Sequence, residues 1–353
     1  MAGTRWDATD ILKIVAPIGR SHLHEWDIFM HVRAMTETAS PAETYGFILT
    51  PGFALMSFAA ATEPLRAANL IAGSELYRIV CLSPDGASVA SSGGLSVDCA
   101  RYDGGAPLHT VFVCAGGKPS DWPTAETAAL LRRCAKHGAR LGGISGGPYL
   151  LAAAGLLDDR DFTIHWEHAP ALMEAFPHLR PRQTRFVIDG NRITCGGGVA
   201  PLDMMHALIA GRMGAVFARR VSDWYLHRAI GAPADPQTAS LAERYGVTHP
   251  ALLRSLARME ATVESPLSRS AIARHAGVSP RHLDRLFRET GESFVATYHR
   301  LRLARAQVLL RQSSLSISEV AVAVGFSSAG HFSRTFKRHL GRSPSALRSR
   351  DRA

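Results

Sequence analysis

The sequence predicts a mostly parallel α/β domain followed by an all-α domain with two helix-turn-helix motifs, and three observations predict it. Short β-rich runs alternate with helical ones as far as about residue 228, the pattern of a parallel sheet covered on both faces. The breaker-rich stretch Gly231-Ala232-Pro233-Ala234-Asp235-Pro236 then ends the alternation. Beyond it nothing resembles a strand, and a helix, glycine turn and second helix occur twice.

Residues 1–43 have weak periodicity and close on the loop-like Thr38-Ala39-Ser40-Pro41, so they are expected to form an N-terminal extension. Strands are expected at 45–49, 77–82, 109–115, 140–144, 185–188 and 192–195. Asp189-Gly190-Asn191 makes the last two a hairpin. Helical spacing fills 124–137, 149–154 and 201–213. The α/β domain therefore spans 44–228, with a linker at 229–248. Helices follow at 249–264, 268–276, 280–290, 293–312, 316–324, 328–339 and 343–349, giving a second domain at 249–349.

Composition narrows the function. With 353 residues, 46% of them apolar and 20% charged, the chain is globular and not disordered or fibrous. The five cysteines form no C-x-x-C pair, so neither a disulfide framework nor a zinc knuckle is expected. No apolar run approaches the roughly 20 residues of a membrane span, and the expectation is a cytoplasmic protein. Residues 250–353 hold 18 Lys+Arg against 7 Asp+Glu, a net of +11, whereas residues 1–249 sum to −1. A block of basic charge this concentrated suits a polyanion.

The repeat shows how that charge is arranged. His282, Arg285 and Phe287 recur as His331, Arg334 and Phe336 at an offset of 49. Each copy has a helix, a glycine turn (Gly277, Gly325) and a second helix opened by a serine cap. In the first copy Leu283, Leu286 and Phe287 face inward, while Arg281, Asp284, Arg285 and Arg288 share the outer face. Such a helix can enter a major groove, where arginine reads guanine edges and grips phosphates. The second copy offers Ser328, His331, Arg334, Lys337 and Arg338 and buries Phe332 and Phe336. A long helix at 293–312, with Phe294, Tyr298, Leu301 and Val308 inward, would space the two reading helices.

Residues 249–349 resemble the AraC/XylS-type DNA-binding domain through Gly325-Phe326, His331-Phe332-Ser333-Arg334, Phe336-Lys337-Arg338 and Gly341-Arg342-Ser343-Pro344. The resemblance implies two tandem units reading successive major grooves of double-stranded promoter or operator DNA. Two positions depart from the pattern: the Phe287–Gly291 segment is one residue short, and Leu347 stands where an aromatic is common.

In the α/β domain, Gly142-Gly143-Ile144-Ser145-Gly146-Gly147-Pro148 joins a strand to a helix. A small polar residue on that turn sits beside helix N-terminal amides, where a nucleophile or an anion would be placed. With Glu63-Pro64-Leu65-Arg66 and Thr163-Ile164-His165-Trp166, it resembles the class I glutamine-amidotransferase-like, PfpI-type domain, whose fold is flavodoxin-like. The pairing with an AraC-type tail resembles the GlxA-like regulators. Enzymes of that fold carry a cysteine at the elbow and an acidic residue on the first helix, whereas here Ser145 and Ser57 stand at those places. A binding pocket that has given up catalysis is therefore expected, with no catalytic residues, no cofactor and no metal. Its ligand-binding residues are expected to be Ser145, Gly146, Gly117, His165 and Trp166.

Three local features have plainer readings. His165 and His168 lack a third ligand for a metal. Cys195-Gly196-Gly197-Gly198 has no following Lys-Ser or Lys-Thr, and reads as a tight turn. Trp122 and Trp166 could box a quaternary amine by cation-π contact, although lone tryptophans are usually packing.

The expected protein is a transcriptional regulator that responds to a small effector, an amino acid or an amine. By resemblance it is a homodimer, engages RNA polymerase and activates a catabolic operon. The rivals are a serine-dependent hydrolase or amidase with a DNA-binding tail, and a non-specific nucleoid-type binder.

Overall fold

The computed structural model describes residues 41–350, so most of the expected N-terminal extension lies outside the described residues. In chain order come β1 (Glu43–Leu49), α1 (Leu55–Ala72), β2 (Tyr77–Leu82), β3 (Val89–Ala90), β4 (Ser96–Val97), β5 (Thr110–Ala115), α2 (Thr124–Lys136), β6 (Arg140–Ser145) and α3 (Gly147–Ala153). They are followed by α4 (Ala169–Ala175), β7 (Phe186–Asp189), β8 (Arg192–Cys195), α5 (Ala200–Met213) and α6 (Ala215–Trp224). The large sheet has the order β2-β1-β5-β6-β8-β7, parallel throughout except for β7, which turns back on β8. β5 reads Thr-Val-Phe-Val-Cys-Ala with every residue buried, as a central strand covered on both faces requires. One layer of core gathers Val111, Val113, Leu131, Leu141 and Leu151, and the other Phe47, Phe112, Ile144, Met204 and Ile209. The antiparallel pair β3–β4 was not expected, because two residues per strand carry no readable periodicity.

The second half is helical: α7 (Leu241–Tyr245), α8 (Pro250–Ala261), α9 (Arg269–Ala276), α10 (Pro280–Glu289), α11 (Phe294–Gln312), α12 (Ile317–Ala323), α13 (Ala329–Leu340) and α14 (Pro344–Arg350). Serine hydroxyls cap α9, α10, α11, α12 and α13 by accepting a backbone N–H, each worth about 1 kcal/mol. Two separate cores result. Leu252, Ile272, Leu283, Phe287, Phe294, Tyr298 and Leu301 form the first, and Leu303, Leu309, Val320, Phe332, Phe336 and Leu347 the second.

α11 belongs to both cores, which explains one departure from expectation. Val308 continues the stripe of Phe294, Tyr298 and Leu301 but is half-buried, and the second core takes Leu303, Ala306, Leu309 and Leu310 instead. Leu301 and Leu303 point about 200° apart on a helix, so the two units pack on different faces of one rod. The stretch 229–248, expected as a linker, is anchored to the α/β domain. The amides of Arg185 and Phe186 donate to the carbonyls of Asp235 and Pro233. Gln237 Nε2 donates to Thr163 Oγ1, Ile164 O and Thr184 O, and its Oε1 accepts from Trp166 N. α7 then forms inside the same stretch on the capping box of Ser240 and Glu243.

Candidate ligand cleft and nucleic-acid interface

The sheet order reverses between β1 and β5, and a ligand crevice is expected outside the carboxyl ends of the strands at such a point. A cleft of about 460 Å³ lies there. Its walls include Gly52 after β1, Gly116 and Gly117 after β5, and Ser145 at the end of β6. Ser145 has φ +60°, a left-handed conformation that costs a non-glycine residue of order 1 kcal/mol or more. The turn is held from several sides. Gly146 N donates to Ala115 O, and His165 N donates to Ser145 O at 3.1 Å. Gly147 must lack a side chain, because a Cβ there would lie 2.0 Å from Val113 O. Gly197, with φ +88°, comes so close that a Cβ would lie 2.8 Å from that of Ser145.

The cleft is lined by a mixture of small, apolar and polar residues. Glu167 is the one ionisable carboxylate among the described lining residues, and no lysine or arginine joins it. Ser57 is buried on α1 and accepts a hydrogen bond from Gly198 N at 2.8 Å, so its hydroxyl ties α1 to the glycine turn. No described side chain is hydrogen-bonded to the Ser145 hydroxyl. Burial pushes the thiols of Cys81, Cys99, Cys114, Cys134 and Cys195 up, and none of them lines the cleft. A general base engaged with the elbow hydroxyl and a thiolate nucleophile are therefore both missing among the described residues.

His165 and His168 sit side by side, with ring centroids 5.9 Å apart. Burial lowers the pKa of His165, opposed by Glu167. His168 is pushed down to about 4 by burial, with His165 adding and Gln312 opposing. An unfolded imidazole titrates near 6.5, so as the pH falls the unfolded chain takes up this proton first. Stability from His168 is complete above about pH 6.5 and is lost as the pH falls toward 4, amounting to about 2 kcal/mol by pH 5. Urea midpoints at about pH 7.5 and about pH 5 should show that loss in the native chain and a smaller one in His168→Gln. Equal losses would contradict the assignment.

Of the residues expected at the ligand site, Ser145, Gly117 and His165 line the cleft. Gly146 lies behind the elbow, where a Cβ would strike the Trp122 ring at 2.6 Å. Trp166 is 49% exposed, lies against His165 and is not among the lining residues. Trp122 is 5% exposed and donates from Nε1 to Gly116 O at 2.7 Å, its ring edge-on to Tyr149 and His168. It is packing, so the aromatic box with Trp166 is not formed. His168, Glu167 and Gln312 complete the cleft. A larger groove of about 850 Å³, lined by Asp85, Arg101, Tyr102, Asp121 and Arg133 among others, mixes charges of both signs without converging on the elbow.

In the helical half, Arg281, Arg285 and Arg288 are exposed on α10, opposite the buried Leu283, Leu286 and Phe287. Asp284 is already engaged, its carboxylate accepting from Arg269 at 2.8 Å. Arg285 lies 3.8 Å from Glu289, an exposed pair worth a few tenths of a kcal/mol that would yield readily to a phosphate or a base. On α13, His331, Arg334 and Lys337 are exposed, and the Ser328 hydroxyl caps the helix by accepting from His331 N. α11 joins the two units as 19 helical residues, about 28 Å.

Comparison with known proteins agrees with both halves. The DJ-1/PfpI family matches residues 46–211, and the helix-turn-helix domain family matches residues 272–350. The HTH-type transcriptional regulator GlxA of Rhizobium meliloti (strain 1021) is 61% identical over 320 residues, covering 90% of this chain and 99% of its own. The HTH-type transcriptional regulator CdhR of Pseudomonas aeruginosa is 40% identical over 316 residues, covering 87% and 92%. GbdR, also an HTH-type transcriptional regulator of that organism, is 39% identical over 304 residues, covering 86% and 83%. This chain, an α/β domain of DJ-1/PfpI type joined to an AraC-type helix-turn-helix domain, belongs to the GlxA-like family of HTH-type transcriptional regulators.

Proposed function

We propose that this protein is a sequence-specific DNA-binding transcriptional regulator whose α/β domain, 44–228, binds a small effector and whose domain at 249–349 reads the promoter. The observation that carries the reading is the pair of serine-capped helices α10 and α13, arginine-bearing on their outer faces and seated on separate cores along one rigid helix. A spacer of about 28 Å is close to the roughly 34 Å turn that separates successive major-groove faces. Arg281, Arg285 and Arg288 of α10, with Asp284 beside them, discriminate bases. In the second unit Ser328 and His331 face the groove, while Arg334 and Lys337 serve mainly to grip the backbone.

Measured on the full chain with a promoter fragment and a scrambled duplex, Arg285→Ala is expected to cost about 1–3 kcal/mol on the promoter and narrow the ratio between the two. Lys337→Ala is expected to weaken both alike and to lower the salt slope by about 1. Equal losses on both duplexes from both variants would overturn this division of labour.

The effector is an amino acid or an amine that occupies the cleft beside Ser145, Gly117 and His165, a site whose single lining carboxylate and neutral imidazoles favour a cationic group. Thermal shift of the full chain against a panel of amino acids and small amines should find a compound that stabilises it by about 2.7 kcal/mol at a hundredfold excess over Kd. A panel without a binder would defeat the effector class. Dimerisation, contact with RNA polymerase and activation of a catabolic operon belong to the same reading.

The positive φ of Ser145 keeps the serine hydrolase in view. Amide or ester turnover abolished by Ser145→Ala would establish it.

A further inference from the structure

The effector cleft is not built from the α/β domain alone. Gln312, the last residue of α11, lines it together with Ser145, His165 and His168. Its side chain is 7% exposed, and its Oε1 has no hydrogen-bond partner among the described residues. His168 stands opposite, 3% exposed, and its side chain feels Gln312, but the two meet too loosely for either Gln312 Oε1 or His168 Nδ1 to be satisfied. An unsatisfied buried polar atom costs about 1–3 kcal/mol, so a polar molecule seated in the cleft beside this loose pair would satisfy Gln312 better than His168 does. The junction around them is packed. α4 follows His168 directly and lies against α11, while Arg305 on α11 feels the carboxylates of Glu174 on α4 and of Glu264.

We propose that Gln312 is a ligand-contacting residue of the effector site, supplied by the DNA-binding domain, which accepts a hydrogen bond from an N–H group of the bound molecule. Occupancy of the cleft is then transmitted to the helix that spaces the two reading units, without a relay through the anchored linker. The inference rests on the reading that the cleft binds an effector, and it assigns the residue through which that binding reaches the tail.

The test places a defined carboxamide in the cleft. In the full chain with Ser145→Cys, iodoacetamide alkylates the introduced thiol: sulfur bonds to the methylene carbon, the carbon–iodine bond breaks, iodide leaves and the thiol proton passes to buffer. The native chain treated in parallel corrects for Cys81 and Cys99, which are partly exposed. Alkylation is expected to change amide hydrogen exchange in residues 303–312 and 317–340 by about fivefold or more. The change is expected to vanish when Gln312→Met is added. Unchanged amides, or the same change with methionine in place, would overturn the proposal. Should Gln312→Met fold poorly, the reciprocal measurement decides. Saturating duplex DNA should alter the alkylation rate of the introduced thiol by a similar factor, and equal rates with and without DNA would overturn it. Binders in the amino acid and amine panel with silent amides would defeat the role of Gln312 alone. Shifted amides with no binder would support that role while defeating the effector class.

Discussion

Phe336→Ala is expected to destabilise the second helix-turn-helix unit by about 3–5 kcal/mol. Phe336 is fully buried on α13, stacked edge-on against Phe332 at 5.4 Å, in a core that also holds Leu303, Val320 and Leu347. That core is small and is joined to its neighbour through the rod of α11 and through Val263, so little surrounding structure can collapse into the void. The first unit keeps its own core of Leu252, Ile272, Leu283 and Phe287 and should persist. Urea titration followed by amide exchange should show residues 317–340 opening far below the midpoint of residues 250–301. Promoter affinity should fall to that of a single unit, and a loss under about 1 kcal/mol would contradict the account of two independent cores.

Asp203→Ala is expected to cost about 3–5 kcal/mol, comparable to breaking a buried ion pair by removing one member. The side chain is fully buried in the first turn of α5. It accepts from Arg185 Nε at 2.8 Å and also from Arg185 Nη2, from His227 Nε2 at 2.8 Å and from Gly231 N at 2.9 Å. These donors come from the approach to β7, from the segment after α6 and from the start of the segment leading to the tail. Removing the carboxylate leaves a guanidinium, an imidazole and an amide partly buried with no acceptor. Denaturant melts should show the loss, and proteolysis should open the chain near 228–236. Asp203→Asn should retain part of the stability, because an amide oxygen still accepts while the charge is gone.

The fold was legible where each element carried its own local signal. The run 77–82 and the run 192–195 match β2 and β8 residue for residue, since short β-rich runs bounded by turns need no tertiary information. In the tail, a serine after each glycine turn announced the starts of α10 and α13. The elbow led to Ser145 because glycines crowd it, and each glycine there has a steric reason. Gln312 and Gln237 carried no such signal. Each is an ordinary polar residue at the end of a helix or in a loop, and its partners lie far away along the chain, so only the folded packing assembles them. Trp166 misled for the converse reason: it adjoins His165 in sequence, but its ring is turned outward, since Gln237 holds its backbone amide.

The anchoring of residues 231–237 also bears on how such two-part proteins can be recombined. A hybrid that grafts this tail onto a foreign effector domain, with its seam at the glycine- and proline-rich stretch, would strip Gln237 from Thr163, Ile164 and Trp166 and leave the loop carrying His165 unbraced. A seam placed beyond Ser240 leaves that brace intact. The natural point of exchange in this architecture therefore lies a few residues later than its composition suggests.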